Sequence, residues 1–224
     1  MKVLVGCEES REITKAFRAR GHEAYSCDLK PCSGGHPEWH IQGDIRSVIL
    51  RDSVQSILHS NSGSVWDIFI VHPMCTDICV SGARWFAEKR ANGTQRASIG
   101  FFLEMANCNV HSIAIENPVG IMSGGRKYIE KHFPDLYDKS KSLMGYKCQY
   151  IEPYEYGHPE TKKTCLWLKN LPELKPTNNV YSEMMDLPKS ERNRIHYMPP
   201  SEERSTLRAK TYSGWARAMA EQWG

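Results

Sequence analysis

Long apolar runs are missing from this sequence, which has no stretch near the roughly 20 apolar residues that a membrane-spanning helix needs. The opening residues, MKVLVGCEESRE, become charged after a few apolar positions. That pattern is not typical of a secretory signal peptide. We therefore expect a cytoplasmic protein that has no membrane partner.

A strong excess of one charge is missing as well. The sequence has 29 lysines and arginines against 26 acidic residues, a net charge of +3. Non-specific DNA binders usually have a larger basic excess or a basic stripe, so charge alone neither indicates nor excludes a nucleic-acid partner. The 224 residues are 40% hydrophobic and 25% charged, as in soluble globular proteins. Without internal repeats, this composition predicts a single domain over residues 1–224.

The cysteines lack the spacing of a disulfide or metal framework. The eight cysteines are scattered, and a chain of this length can fold without disulfides. Cys27, Cys32, His36 and His40 could be read as zinc ligands, but their spacing differs from the common finger and ribbon patterns. We expect free thiols, no metal site, and a flexible loop at residues 30–44.

Strand and helix patterns alternate through the first half of the chain. Short apolar runs predict strands at residues 2–7, 23–29, 66–73 and 112–118. Helical patterns lie between them, including 46–61 and 94–109. This order favours an α/β fold with a mostly parallel sheet and helices on both faces.

The second half of the chain is less regular. Strand-like pieces separated by Pro and Gly occupy residues 148–177, and the charged segment 172–205 has no clear period. The end of the chain predicts a short helix. Trp215, Met219 and Trp223 recur there at helical spacing, and we expect them to pack in the core.

Reactive or polar side chains stand where several of the predicted strands end. In parallel sheets, ligands bind in the crevice at the carboxyl ends of the strands. Residues that fall at these ends are Cys7 and Glu8, Asp28, Asp44, Pro73 to Cys75, and Glu116 with Asn117. The sequence therefore predicts a site that gathers these side chains at one edge of the sheet.

Cys75 and Glu116 form a chemically sensible pair within that set. A thiolate can add to one carbon of an electron-poor heteroaromatic ring, while a carboxyl group protonates or hydrogen-bonds a ring nitrogen. The neighbouring ring carbon then becomes nucleophilic. This pairing favours a role as nucleophile for Cys75 over a role as buried filler.

The order of these segments resembles that of the DNA cytosine-5 methyltransferases. Five stretches carry the resemblance: VLVGCEESREITKAFRARGHEAYSCDL, IQGDI, HPMCTDICVSG, IENPVG and YGHPETKKTCLWL, followed by the closing TYSGWARAMAEQWG. The resemblance covers about residues 2–172 and the last dozen. It implies a Rossmann-like fold that depends on S-adenosylmethionine, with DNA as the partner.

The resemblance also implies a role for individual residues. Cys75 would attack C6 of a flipped cytosine, Glu116 would contact the ring nitrogen, and Lys162 would stand in place of an assisting arginine. The cofactor would lie against Gly6, Cys7, Glu8, Asp28, Asp44 and Pro73. The substrate would contact Ser81, Arg84, Asn117 and Pro118, with Gly82 giving the loop past the nucleophile freedom to move.

This sequence departs from the family pattern in four places. The first turn, Gly6 to Arg11, has only one glycine where the family has a glycine-rich turn, and Met74 stands where a proline would fix the loop before the nucleophile. Glu160 to Thr164 replaces the usual Gln-x-Arg-x-Arg. The long target-recognition region is reduced to residues 172–205, an irregular loop-rich insert. We therefore expect a short site, relaxed specificity or a protein partner that supplies recognition.

Three other functions remain open at this point. An amino-group methyltransferase would need an Asp/Asn/Ser-Pro-Pro-aromatic segment, which His72-Pro73-Met74-Cys75 does not supply. A non-catalytic relative could keep the fold and bind DNA or cofactor. An enzyme with the same thiol chemistry could act on a free pyrimidine nucleotide.

Overall fold

The structure is a computed structural model that describes residues 1–58, 64–124, 126–199 and 201–224. Its strands are β1 (Lys2–Gly6), β2 (Glu23–Asp28), β3 (His40–Gln42), β4 (Ile68–Val71), β5 (Ser112–Pro118), β6 (Lys147–Ile151) and β7 (Thr164–Lys169). Its helices are α1 (Glu12–Ala19), α2 (Ile45–Leu58), α3 (Phe86–Ala91), α4 (Thr94–Ala106), α5 (Lys127–His132), α6 (Pro134–Ser140), α7 (Tyr181–Asp186), α8 (Lys189–Arg192), α9 (Arg194–Tyr197), α10 (Glu202–Ala209) and α11 (Ser213–Trp223).

The seven strands form one sheet in the order β3-β2-β1-β4-β5-β7-β6. Strands β1 to β5 are parallel to their neighbours, and β7 runs antiparallel between β5 and β6. This is a Rossmann-like methyltransferase fold, and it confirms the predicted fold class. The order reverses at β1, so the carboxyl ends of β1 and β4 flank the position where such sheets bind ligands.

Alternating side chains of the central strands fill two separate cores. Leu4 and Phe69 point to one face and pack with α4, while Val5 and Ile70 point to the other and pack with α1 and α11. Trp215, Met219 and Trp223 are buried in the second core, as predicted from their spacing. Helices therefore cover both faces and hold the strand ends in place.

Element boundaries differ from the predictions by a few residues. The predicted strand 66–73 is shorter, Ile68–Val71, and α4 ends at Ala106, before the predicted 109. The helix predicted at 46–61 is observed as Ile45–Leu58, and the rest of that prediction lies outside the described residues. Segment 172–205 contains the short helices α7 to α9 and the start of α10. None of the described helices has the length and apolarity needed to cross a bilayer.

Candidate active site

Direct hydrogen bonds join the carboxyl ends of β1, β4 and β5, which we call the carboxyl edge. The backbone N–H of His72 donates to the carbonyl of Gly6 at 3.0 Å. The Asn117 side chain donates from Nδ2 to the carbonyl of Pro73 at 2.6 Å. Gly6, Pro73 and Asn117 were all predicted at the site, and these contacts place them side by side.

Cys75 lies in a turn held from both sides. The N–H groups of Ile78 and Cys79 donate to the Cys75 carbonyl, at 3.1 and 3.0 Å. Segment 119–121 lies against the turn, because Val119 accepts from Val80 and Ile78 accepts from Ile121. A Cβ at Gly120 would lie only 2.1 Å from the Ile78 carbonyl oxygen, so this close approach needs glycine.

Asp77 anchors the same turn to α3 and α4. Its carboxylate pairs with Lys89 at 3.1 Å and accepts from the Ser98 hydroxyl at 2.9 Å, and its carbonyl accepts from Gln95 at 3.0 Å. Met74 is 64% exposed. The contacts of Asp77 hold the turn backbone although the residue before Cys75 is not a proline.

The side chains of Cys75 and Cys79 interact within this turn. Cys75 and Cys79 form a side-chain hydrogen bond, which lowers the pKa of Cys79 to about 5 and raises the pKa of Cys75. Cys79 also has the Ser81 hydroxyl at 2.9 Å and backbone N–H groups of Ser81 and Gly82 as partners. Burial and the charge of Glu116 raise the Cys75 pKa further. The two pKa values are therefore shifted in opposite directions, that of Cys79 downward and that of Cys75 upward.

Glu116 lies near the end of β5 with His72 as its hydrogen-bond partner. His72 Nδ1 lies 2.7 Å from Glu116 Oε2, and the two side chains are 12% and 10% exposed. Burial raises the pKa of Glu116, but the His72 hydrogen bond and the charges of His72 and Lys162 outweigh burial and lower it. The carboxylate is thus kept ionised by its two basic neighbours.

Lys162 brings a buried positive charge to the same place. Its Nζ lies 5.5 Å from the Tyr212 ring centroid and 5.7 Å from that of Trp215, both distances typical of cation–π contacts. Its charge lowers the pKa of both Cys75 and Glu116. The predicted catalytic residues Cys75, Glu116 and Lys162 are therefore electrostatic neighbours.

Glu8 is buried and serves the start of α1. Its carboxylate accepts from the N–H groups of Ile13 and Thr14 at 2.7 and 3.3 Å, and from the Thr14 hydroxyl at 2.8 Å. Burial raises the pKa of Glu8, while the charge of His72 and these hydrogen bonds act against the increase. The N–H groups that a glycine-rich turn would offer to an anionic ligand are here taken by a side chain.

The predicted adenosine-binding residues surround Cys7. Burial raises the pKa of Cys7 to about 12, and the charges of Asp28, Cys27 and Asp44 add to the increase. Asp28 accepts from the N–H of Lys30 at 2.9 Å, and Asp44 accepts from the N–H of Arg46 at 2.9 Å. Cys7, Asp28 and Asp44 are therefore brought together at the ends of β1, β2 and β3.

The remaining predicted residues lie further from this centre. Ser81 is exposed and contacts Cys79, and Arg84 is exposed with its guanidinium 5.0 Å from the Trp85 ring centroid. Pro118 pairs with Thr164 in the sheet. The geometry gives Ser81 a role at the Cys79 thiolate and leaves Arg84 facing solvent.

The histidines of the 30–44 loop make ordinary hydrogen bonds. His40 contacts the Ser26 hydroxyl at 2.8 Å and the Lys30 carbonyl at 2.9 Å, and His36 contacts Glu38 at 3.0 Å. Within the described ranges, no group of three or more His, Cys, Asp or Glu side chains could hold a metal ion.

Sequence reasoning missed His72 and Cys79. The strand-end rule that singled out Cys75 applies equally to His72, which directly follows β4. Cys79 stands four residues after Cys75, the spacing that brings side chains together over one helical turn. Both signals were present in the sequence.

Comparison with known proteins gives likeness only at the level of structure. No family model and no curated protein matches the sequence. A protein described as a DNA modification methyltransferase encoded within an E. coli prophage is 11% identical, with a TM-score of 0.47, covering 84% of this chain and 56% of that one. The S. pombe Dnmt2 methyltransferase is 14% identical, with a TM-score of 0.42, covering 92% and 61%.

A third solved structure, the Entamoeba histolytica methyltransferase EhMeth, is 11% identical with a TM-score of 0.43, covering 80% of this chain and 57% of that one. This chain thus spans less than two thirds of the length of the structures that it matches. The fold assignment rests on the strand order and directions of the sheet itself.

Proposed function

We propose that this protein is an S-adenosylmethionine-dependent methyltransferase that modifies C5 of cytosine in DNA through a covalent adduct with Cys75. The observation that carries the proposal is the convergence of a thiol, an ionised buried carboxylate and a buried ammonium group, namely Cys75, Glu116 and Lys162. Ring activation at cytosine needs a sulfur nucleophile together with a group that contacts N3.

Each residue has a defined part in this chemistry. Cys75 releases its proton and, as the thiolate, forms the bond to C6 of a cytosine turned out of the base stack. Glu116 accepts from the amino group of the base and, on taking up a proton, donates it to N3, while Lys162 offsets the negative charge that develops in the site. Tyr212 and Trp215 hold the Lys162 ammonium beside that charge.

The residues at the adenosine end fit S-adenosylmethionine, which would supply the methyl group. One oxygen of Asp28 accepts from Lys30, and a carboxylate accepts on both oxygens, so the other can receive a ribose hydroxyl. The charge of Asp44 also acts on Cys7, and its carboxylate could accept from the adenine amino group. At the methionine end the fit differs from a glycine-rich turn, because Glu8 occupies the amides of Ile13 and Thr14.

The substrate class follows from the site and from the small amount of chain that could read a sequence. Segment 172–205 offers short helices of four to six residues, α7 to α9, and part of α10. Base readout in a groove needs several side chains at base edges. We propose a short or relaxed DNA target, with a partner protein as the source of any longer recognition.

A covalent trap tests the proposal directly. The protein is incubated with S-adenosylmethionine and DNA that contains 5-fluorocytosine, and a denaturation-resistant adduct is measured. We expect an adduct that Cys75→Ser abolishes and that Cys148→Ser, a change at an exposed free cysteine, leaves intact. Cofactor binding without an adduct would contradict the proposal and favour a non-catalytic binder.

The same trap separates a second candidate, an enzyme that acts on free pyrimidine nucleotides. The limited size of segment 172–205 favours this alternative. An adduct that forms with the fluorinated nucleotide and not with DNA would select it.

A further inference from the structure

His72 lies between two buried carboxylates at the carboxyl edge. Its backbone N–H donates to Gly6, so its side chain lies between the turn after β1 and the end of β5. Glu116 is its hydrogen-bond partner at 2.7 Å, and its charge also acts on Glu8. Lys162, from the segment before β7, is the other charged group acting on Glu116.

The two carboxylates use their oxygens differently. Both oxygens of Glu8 accept hydrogen bonds from α1. Glu116 has His72 on Oε2, whereas its Oε1 is buried and has no hydrogen-bond partner among the described residues. The same holds for Nε2 of His72. A buried polar atom left unpaired destabilises the folded state, so the pair has unmet hydrogen-bonding capacity for the polar edge of a ligand.

We propose that His72 is a positioning residue that holds Glu116 by Oε2, so that Oε1 is the oxygen presented to the base. This inference rests on the proposed function and deepens it. His72 does not contact the reacting atoms in this scheme. It acts through the orientation and charge of Glu116.

Loss of the His72 N–H has two physical consequences. The Glu116 carboxylate loses the contact that fixes its rotation, and a small misplacement of a catalytic group can slow a reaction about 100-fold. Burial then dominates the Glu116 environment, because the hydrogen bond and the charge that opposed it are gone. The carboxyl group of the variant should bind its proton at a higher pH than in the native protein.

Two substitutions separate positioning from simple packing. His72→Asn keeps an N–H donor that does not titrate, and His72→Leu removes the donor. In the 5-fluorocytosine trap we expect His72→Leu to slow adduct formation roughly 10- to 100-fold with unchanged DNA affinity. His72→Asn should recover a large part of that loss. The acidic limb of the rate profile should lie at a higher pH in the leucine variant than in the native protein.

A structural role alone would slow both variants equally and leave the pH profile in place, and that result would overturn the inference. So would a leucine variant as fast as the native protein. If the leucine variant does not fold, the asparagine variant decides, because its acidic limb must differ from the native one.

A measurement without activity keeps this inference distinct from the proposed function. The Glu116 carboxyl carbon can be titrated by NMR in the free protein and in both variants. We expect its midpoint to rise in His72→Leu, and an unmoved midpoint would refute the coupling. Absence of any adduct with the native protein would instead refute the proposed function, while the titration would still report on His72.

Discussion

Two buried glutamates flank His72, yet their environments shift their acidity in opposite directions. Glu8, in the turn after β1, has a raised pKa because burial outweighs the hydrogen bonds from α1. Glu116, near the end of β5, has a lowered pKa because His72 and Lys162 outweigh burial. The hydrogen bonds of Glu8 are all local, within six residues, whereas Glu116 reaches partners on distant segments.

This difference separates a carboxylate that builds the fold from one that is available for chemistry. Glu8 has three hydrogen bonds and closes the first turn of α1. Glu116 keeps one buried oxygen without a partner. An ionised group with spare hydrogen-bonding capacity in a crevice is a common feature of functional sites.

The largest effect that would test this difference between Glu8 and Glu116 is expected on the rate of adduct formation. Glu116→Gln removes the acid that contacts N3, and we expect the adduct rate to fall on the order of 10²- to 10⁴-fold. Glu104→Gln is the matched control, since Glu104 is exposed on α4 and pairs with Arg46. Rates measured with 5-fluorocytosine DNA check this, and a Glu116→Gln variant as fast as the control would remove Glu116 from the chemistry.

The contributions of Glu8 and Glu116 to folding stability should change with pH in opposite directions. A raised pKa means that the folded state holds the Glu8 proton more tightly, so its contribution is present at low pH and is lost as pH rises through the folded pKa. Glu116 has a lowered pKa, so its contribution to folding stability is present at pH values above the ordinary glutamate pKa. That contribution is lost as pH falls through the folded-state pKa.

Urea unfolding at a series of pH values measures both trends. The stability difference between native protein and Glu8→Gln should shrink as pH rises, and the difference for Glu116→Gln should grow, each by about 1–3 kcal/mol. Parallel trends for the two variants would show that the two sites do not differ in this way.

The adenosine end gives a smaller expected effect. Asp28 is half-buried and solvent reaches it, so its replacement removes one charge-assisted hydrogen bond without leaving a buried charge unpaired. Asp28→Asn should weaken S-adenosylmethionine binding about tenfold, as calorimetry would measure, and leave folding stability close to native. An unchanged affinity would contradict the proposed contact between the cofactor and Asp28 at the end of β2.

The smallest effect is expected at Cys79. Its thiolate raises the Cys75 pKa, so Cys79→Ser should lower that pKa and increase the thiolate fraction of Cys75 at neutral pH. We expect the adduct rate near pH 7 to rise several-fold. The limb of the rate profile that reports ionisation of Cys75 should move to lower pH. A slower variant would instead make Cys79 the acceptor that Cys75 needs.

The sequence was sufficient for the strand-end residues because strand ends follow from apolar runs alone. The strands whose carboxyl ends carry Cys7, Asp28 and Glu116 were predicted to within a few residues. The role of Glu8 was not predictable, because it depends on the left-handed backbone at Arg11, which turns the amides of α1 toward the Glu8 carboxylate.

The pairing of His72 with Glu116 was also beyond the sequence. These residues are 44 positions apart, and their contact depends on the register of β4 against β5. A one-residue shift in register would send the side chains to opposite faces of the sheet. The periodicity of a sequence locates a strand, but it does not determine the register of that strand against the neighbouring strand.

The turn that carries Cys75 depends on the absence of a side chain at Gly120. With room for no Cβ against the Ile78 carbonyl, a single added methyl would separate segment 119–121 from the Cys75 turn. The position of the Cys75 turn therefore depends on a segment that lies more than 40 residues further along the chain.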